Sequence, residues 1–153
     1  QHAGVVVGLG GVAAHVLCKL PRDAEGYMGR LRCVQEISAV TAACMMVKTS
    51  VFKAVGGFDE ELKVAFNDID LCMKVRKYGV KIVFTPYAEL YHYESKSRGM
   101  EDTPEKQLRF SREVNCFRRK WERELLKGDP YYNPNLTLNN TDCSLRKQEK
   151  NGD

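Results

Sequence analysis

No stretch of this chain is long and apolar enough to cross a membrane. The longest apolar blocks, Gly4 to Val16 and Val40 to Val47, fall short of the roughly 18 to 20 residues a spanning helix needs. Cysteine is plentiful, with six, but CxxC pairs and metal-finger spacings are missing, which removes the zinc-finger and dithiol classes. Cys18, Cys33, Cys44, Cys72, Cys116 and Cys143 are therefore expected to be reduced thiols in a cytoplasmic protein, with Cys44 and Cys72 packed in the core. The run Gly8-Leu9-Gly10-Gly11 has neither GxGxxG spacing nor a P-loop lysine, so a flexible turn is expected there. Internal repeats are absent as well.

What is present is ordinary globular composition: 153 residues, 43% hydrophobic and 29% charged, enough for one domain with its own core. The net charge of +4 fits a phosphate-bearing substrate or an anionic surface and does not require nucleic acid. The chain opens on Gln1, and His2-Ala3-Gly4-Val5-Val6-Val7 reads as a strand met in mid-course, so a preceding N-terminal part is expected.

Along the chain, the β-branched run from His2 to Leu9 predicts a buried strand, and Lys19 to Gln35 predicts a long loop. Val40 to Val47 predicts a second buried strand. Thr49 or Ser50 is placed to cap a short helix through Val55, stopped by Gly56-Gly57, after which Phe58 is expected to plug the core. A helix is predicted from Asn67 or Asp68 to Tyr78, with acidic residues first, basic residues last and Gly79 as the stop. Ile69, Cys72 and Met73 share one face of it, with Leu71, Val75 and Tyr78 beside them. Lys81 to Phe84 follows as a short strand and Ala88 to Tyr93 as a further extended segment. Asp102-Thr103-Pro104-Glu105 resembles a capping box, and Phe110, Val114, Phe117, Trp121 and Leu125 then recur at helical spacing up to Gly128. The order of elements predicts α/β architecture with a mixed sheet, short helices and a long C-terminal helix over residues 1–128, and a polar tail over 129–153.

Two residues stand out chemically. Asp68 opens a helix, where a carboxylate serves as a cap; facing a cleft, it could instead be a general base for a hydroxyl nucleophile. Asp70, roughly 200° further around the helix, cannot line the same site equally, so one of the pair is expected to be structural. His92 in Leu90-Tyr91-His92-Tyr93-Glu94-Ser95 is either a hydrogen-bonded rim residue or a metal ligand, with Ser95, Ser97 and Arg98 close behind as donors to an anion.

The succession VTAACMMV, VFKAVGGFDEEL, FNDIDLCMKVRKYG and FTPYAELYHYESKSRG resembles the acceptor-side half of family-two inverting glycosyltransferases of the GT-A (Rossmann-like) fold, especially bacterial enzymes of rhamnosyltransferase type. The resemblance runs from about His2 to Asn135. It implies Asp68 as the general base, His92 as a ligand of a divalent metal (Mg²⁺ or Mn²⁺), and Ser95, Ser97 and Arg98 beside the donor diphosphate. Thr41, Ala42, Gly57, Asp59 and Asn67 would then shape the acceptor side. The family's nucleotide-binding half and its DxD motif are not in this sequence, where Asp68-Ile69-Asp70 is the one Asp-x-Asp and belongs to the base motif.

On that resemblance the intact protein is a transferase of polysaccharide biosynthesis. It would move a sugar from a nucleotide-diphosphate donor to a glycan or lipid-linked acceptor, in the cytoplasm or at the inner face of the plasma membrane, and the piece alone would be inactive. The rival expectation is a non-enzymatic module whose basic helix, around Arg118, Arg119 and Lys120, docks on an acidic partner or membrane surface. A homodimer through the face of Phe110, Val114, Phe117 and Trp121 is a third.

Overall fold

In the computed structural model, residues 4–93 and 102–147 are described. The chain runs through β1 (Val5–Val7), β2 (Ala13–His15), β3 (Gln35–Ile37), α1 (Thr49–Ala54), α2 (Asn67–Lys77), β4 (Ile82–Phe84) and α3 (Pro104–Lys127), with short 3-10 turns between. β1 pairs with β2 and β3 with β4, both antiparallel, so the described residues hold two small ladders where a mixed sheet was expected. The Val5 N–H donates to Ala39 O at 2.8 Å and links the two.

β1 explains why its sequence is β-branched without alternation. Val5 and Val7 face a core with Leu62, Ile69, Cys72, Met73, Phe117 and Trp121. Val6, between them, faces a second core with Leu9, Val16, Leu31, Tyr132, Leu136 and Cys143. A strand buried on both faces has no reason to alternate. Gly8 to Gly11 is the turn between β1 and β2, with Gly10 at φ 64° inside it.

Local signals mark the start of α3 and the end of α2, whereas α2 begins behind Phe66 without a side-chain cap. Thr103 accepts the Lys106 N–H with its hydroxyl, and Pro104 stands in the first turn of α3. Gly79, at φ 91°, ends α2; the Gly79 and Val80 N–H groups return to Arg76 O and Val75 O at 2.9 and 3.1 Å. α1 starts at Thr49 itself, behind Lys48, without a side-chain cap.

Several expectations are corrected. Val40 to Val47 is not a strand: Ala42–Cys44 is a 3-10 turn, Cys44 is exposed, and Met46 is 100% exposed. Its backbone bonds to side chains of α2 rather than to a ladder. Phe58 lies 47% exposed, edge-on to Phe52 with centroids 5.6 Å apart, and does not plug the core. Tyr78 is exposed, because α2 has turned its C-terminal residues outward by that point. Ala88 to Tyr93 has no regular structure.

Of the α3 stripe, Phe117 and Trp121 are buried in this chain's own core, so they are not free to make a homodimer. Residues 129–147 do more than run over the surface. Asp129 takes the Val7 N–H at 2.8 Å, Leu17 N–H donates to Thr141 O, and Tyr132, Leu136 and Cys143 are buried against the β1–β2 hairpin.

Candidate active site

Asp68 sits in the first turn of α2, half-buried, and Asn67 Oδ1 accepts its N–H at 2.7 Å. Its own Oδ2 accepts the Ala42 N–H at 3.0 Å, and its Oδ1 lies 2.9 Å from the Ile69 N–H. One turn further on, Cys72 donates its thiol to Val40 O at 3.7 Å. Residues four apart on a helix share a face. Asp68 and Cys72 therefore lay the Val40–Ala42 segment along the start of α2. Thr41, whose hydroxyl faces the Ala43 N–H at 3.5 Å, stands in the same turn. Burial pushes the Cys72 thiol up to about 11, with the Val40 bond opposing, so it stays protonated.

The backbone leading into this turn is strained. Phe66 adopts the left-handed conformation at φ 64°, which a non-glycine residue occupies at a cost of order 1 kcal/mol or more. Two contacts hold it there. Its ring packs on Phe117 and Phe110, with centroids 5.2 and 5.8 Å away. Just upstream, the buried carboxylate of Glu113 accepts the N–H groups of Val64 and Ala65 at 3.1 and 2.9 Å, with Arg109 3.8 Å away. Sequence reading passed over Glu113. The signal was a carboxylate set into the apolar stripe of α3, between Phe110 and Phe117.

Asp70, two residues past Asp68, is fully buried and points away from that turn. Its Oδ1 accepts Trp121 Nε1–H at 2.8 Å and Lys120 Nζ at 2.8 Å, while Lys74 Nζ lies 3.3 Å from Oδ2. Lys120 also donates to Asp59, and Lys74 to Gly57 O. Burial draws the Lys120 ammonium down, but the bonds to Asp59 and Asp70 outweigh it and the net shift is upward. Lys120 in turn holds the Asp59 carboxyl below its ordinary range, helped by the Glu61 N–H. Asp70 is thus the structural member of the pair.

The structure accordingly brings Thr41, Ala42, Asn67 and Asp68 together, and gathers Gly57 and Asp59 around the Asp70 cluster instead. His92 is exposed on the irregular segment after β4. Ser95, Ser97 and Arg98 lie outside the described residues. Among the described residues, no three of His, Cys, Asp and Glu are grouped so as to hold a metal ion. His92 would bring a single imidazole to the expected metal, whose aspartate ligands the resemblance places outside this sequence.

The chain is similar to several curated proteins. It is 57% identical over 146 residues to a Sinorhizobium fredii protein named uncharacterized protein y4gI, covering 95% of this chain and 16% of that one. It is 38% identical over 154 residues to the O-antigen biosynthesis protein RfbC of Myxococcus xanthus, covering 100% of this chain and 12% of that one. Over 62 residues it is 36% identical to an N-acetylglucosaminyl-diphospho-decaprenol L-rhamnosyltransferase of Mycobacterium tuberculosis, covering 40% of this chain and 20% of the enzyme. The chain thus spans a fifth or less of the length of each of these relatives. No family model and no solved structure matches it.

Proposed function

We propose that this chain is the acceptor-side part of an inverting glycosyltransferase of GT-A fold, which transfers a sugar from a nucleotide-diphosphate donor to a glycan or lipid-linked acceptor. The observation that carries the reading is the setting of Asp68: a half-buried carboxylate at a helix start, oriented by the Ala42 N–H and reached through a strained residue held by Glu113. The names of two relatives, an O-antigen biosynthesis protein and a rhamnosyltransferase, support the same class.

In this mechanism Asp68 accepts the proton of the acceptor hydroxyl as its oxygen bonds to the anomeric carbon. The bond from that carbon to the diphosphate breaks, and the nucleoside diphosphate leaves with the electron pair, inverting the centre. The N–H bonds to Asp68 occupy only part of its acceptor capacity, since a carboxylate offers about four lone-pair directions. A divalent metal such as Mg²⁺ or Mn²⁺, with His92 among its ligands, would supply positive charge beside the departing diphosphate.

The rival docking module draws less support. Arg118 donates to Gly11 O at 3.1 Å and Lys120 is engaged by Asp59 and Asp70, so two of its three cations serve the fold. Sugar transfer by the full-length protein and its Asp68→Asn variant tests the proposal.

A further inference from the structure

An open groove of about 500 Å³ lies at the other end of α2 from Asp68. Its walls are the last turn of α2, the chain from Gly79 to Lys81, and the end of α3 as far as Tyr131. Asp68 and Arg76 are eight residues apart on α2, roughly 12 Å along the axis, so this is a separate place on the molecule.

The groove is cationic and partly apolar. Arg76, Lys77, Lys81 and Lys127 line it against one carboxylate, Glu124, with Val80, Trp121, Pro130 and Tyr131 supplying apolar surface. Lys81 is paired with Glu36. Among the described residues, no salt bridge engages Arg76, Lys77 or Lys127. Arg76 instead sits over the Tyr131 ring at 5.3 Å and Lys77 over the Trp121 ring at 5.8 Å.

Cations near a helix C-terminus ordinarily complement its dipole. In α2 the last carbonyls are already met, Lys74 O by the Tyr78 N–H, Arg76 O by Gly79 and Val75 O by Val80. The cations of two converging helix ends are left around a concavity of ligand size, with an arginine whose planar fork suits a phosphate and rings that suit a flat body.

We infer that this groove binds a small organic phosphate, its phosphate on Arg76, Lys77 and Lys127 and its apolar or aromatic body against Val80, Pro130 and Tyr131. The inference is independent of the role given to Asp68. Titration of the 153-residue chain with phenyl phosphate, followed by calorimetry and by NMR, tests it. Saturable binding is expected, tighter than that of inorganic phosphate. Arg76→Gln and Lys127→Gln should each weaken it roughly tenfold with unchanged circular dichroism, as loss of one charge-assisted hydrogen bond requires. Lys53→Gln, on α1, should leave it unchanged. Absence of saturation up to about 10 mM, equal affinity in the Arg76 and Lys127 variants, or binding to phosphatidic-acid vesicles without binding of phenyl phosphate would overturn the assignment.

Discussion

The indole N–H of Trp121 donates to the carboxylate of Asp70 across 2.8 Å, both side chains buried and 51 residues apart in sequence. This bond, with the Lys120 ammonium on the same carboxylate, fastens α2 to α3 and so fixes the helix that carries Asp68, while Lys74 pairs with Asp70 within α2. A buried carboxylate among two cations and an N–H is costly to disturb, because removing the anion strands every partner.

Asp70→Asn should therefore lower stability by about 3 kcal/mol, read from urea unfolding with Trp121 fluorescence as the probe. A loss below about 1 kcal/mol would show that the cluster is solvated and does not tie the helices.

Glu113→Gln keeps the shape but removes the charge that holds the Val64 and Ala65 N–H groups. We expect a loss of about 2 kcal/mol in stability and, because Phe66 then relaxes, lower sugar transfer in the full-length protein. Chemical shifts at Phe66 and Asn67 should move in the variant, while those of β3 and β4 stay fixed.

Most of the helical frame was legible in the sequence, since its signals are local: Thr103 and Pro104 opening α3, Gly79 closing α2. What stayed hidden is long-range. β2 and β3 are three-residue strands whose residues, Ala13–His15 and Gln35–Ile37, carry no period and are set by their partners. Val40 to Val47 misled through composition, because an apolar run looks like a strand when nothing in it reveals that Asp68 and Cys72 will take its backbone groups. The tail misled in reverse, with Tyr132, Leu136 and Cys143 dispersed among polar turns. Asp68 was legible as a candidate from its helix start, and Ala42 from the resemblance. Their hydrogen bond, and the carboxylate clamp of Glu113 behind it, come only from the fold.

Stability should also respond to acid through Asp59. Its folded pKa is depressed by Lys120, so the unfolded chain takes up the proton first. The contribution is complete above the ordinary value of 3.8 and is lost as pH falls through the lower folded value. Below about pH 4 the wild type should lose stability more steeply than Asp59→Asn, in denaturant titrations at successive pH values. Parallel curves would contradict the pairing with Lys120.

Thiol reactivity should divide the cysteines. Cys33 and Cys44 are exposed, whereas Cys72 is buried with its thiol raised to about 11. At pH 8 a disulfide reagent should label the first two quickly and Cys72 only on unfolding, as mass mapping of labelled peptides would show.

The most direct test of the central claim is sugar transfer by the full-length protein from a panel of nucleotide-diphosphate sugars, beside its Asp68→Asn variant. The account predicts a loss of at least a hundredfold in turnover with donor binding and helix content retained, the scale of removing a general base. Turnover by the variant near that of the wild type would contradict it, as would a parent protein that transfers no sugar at all.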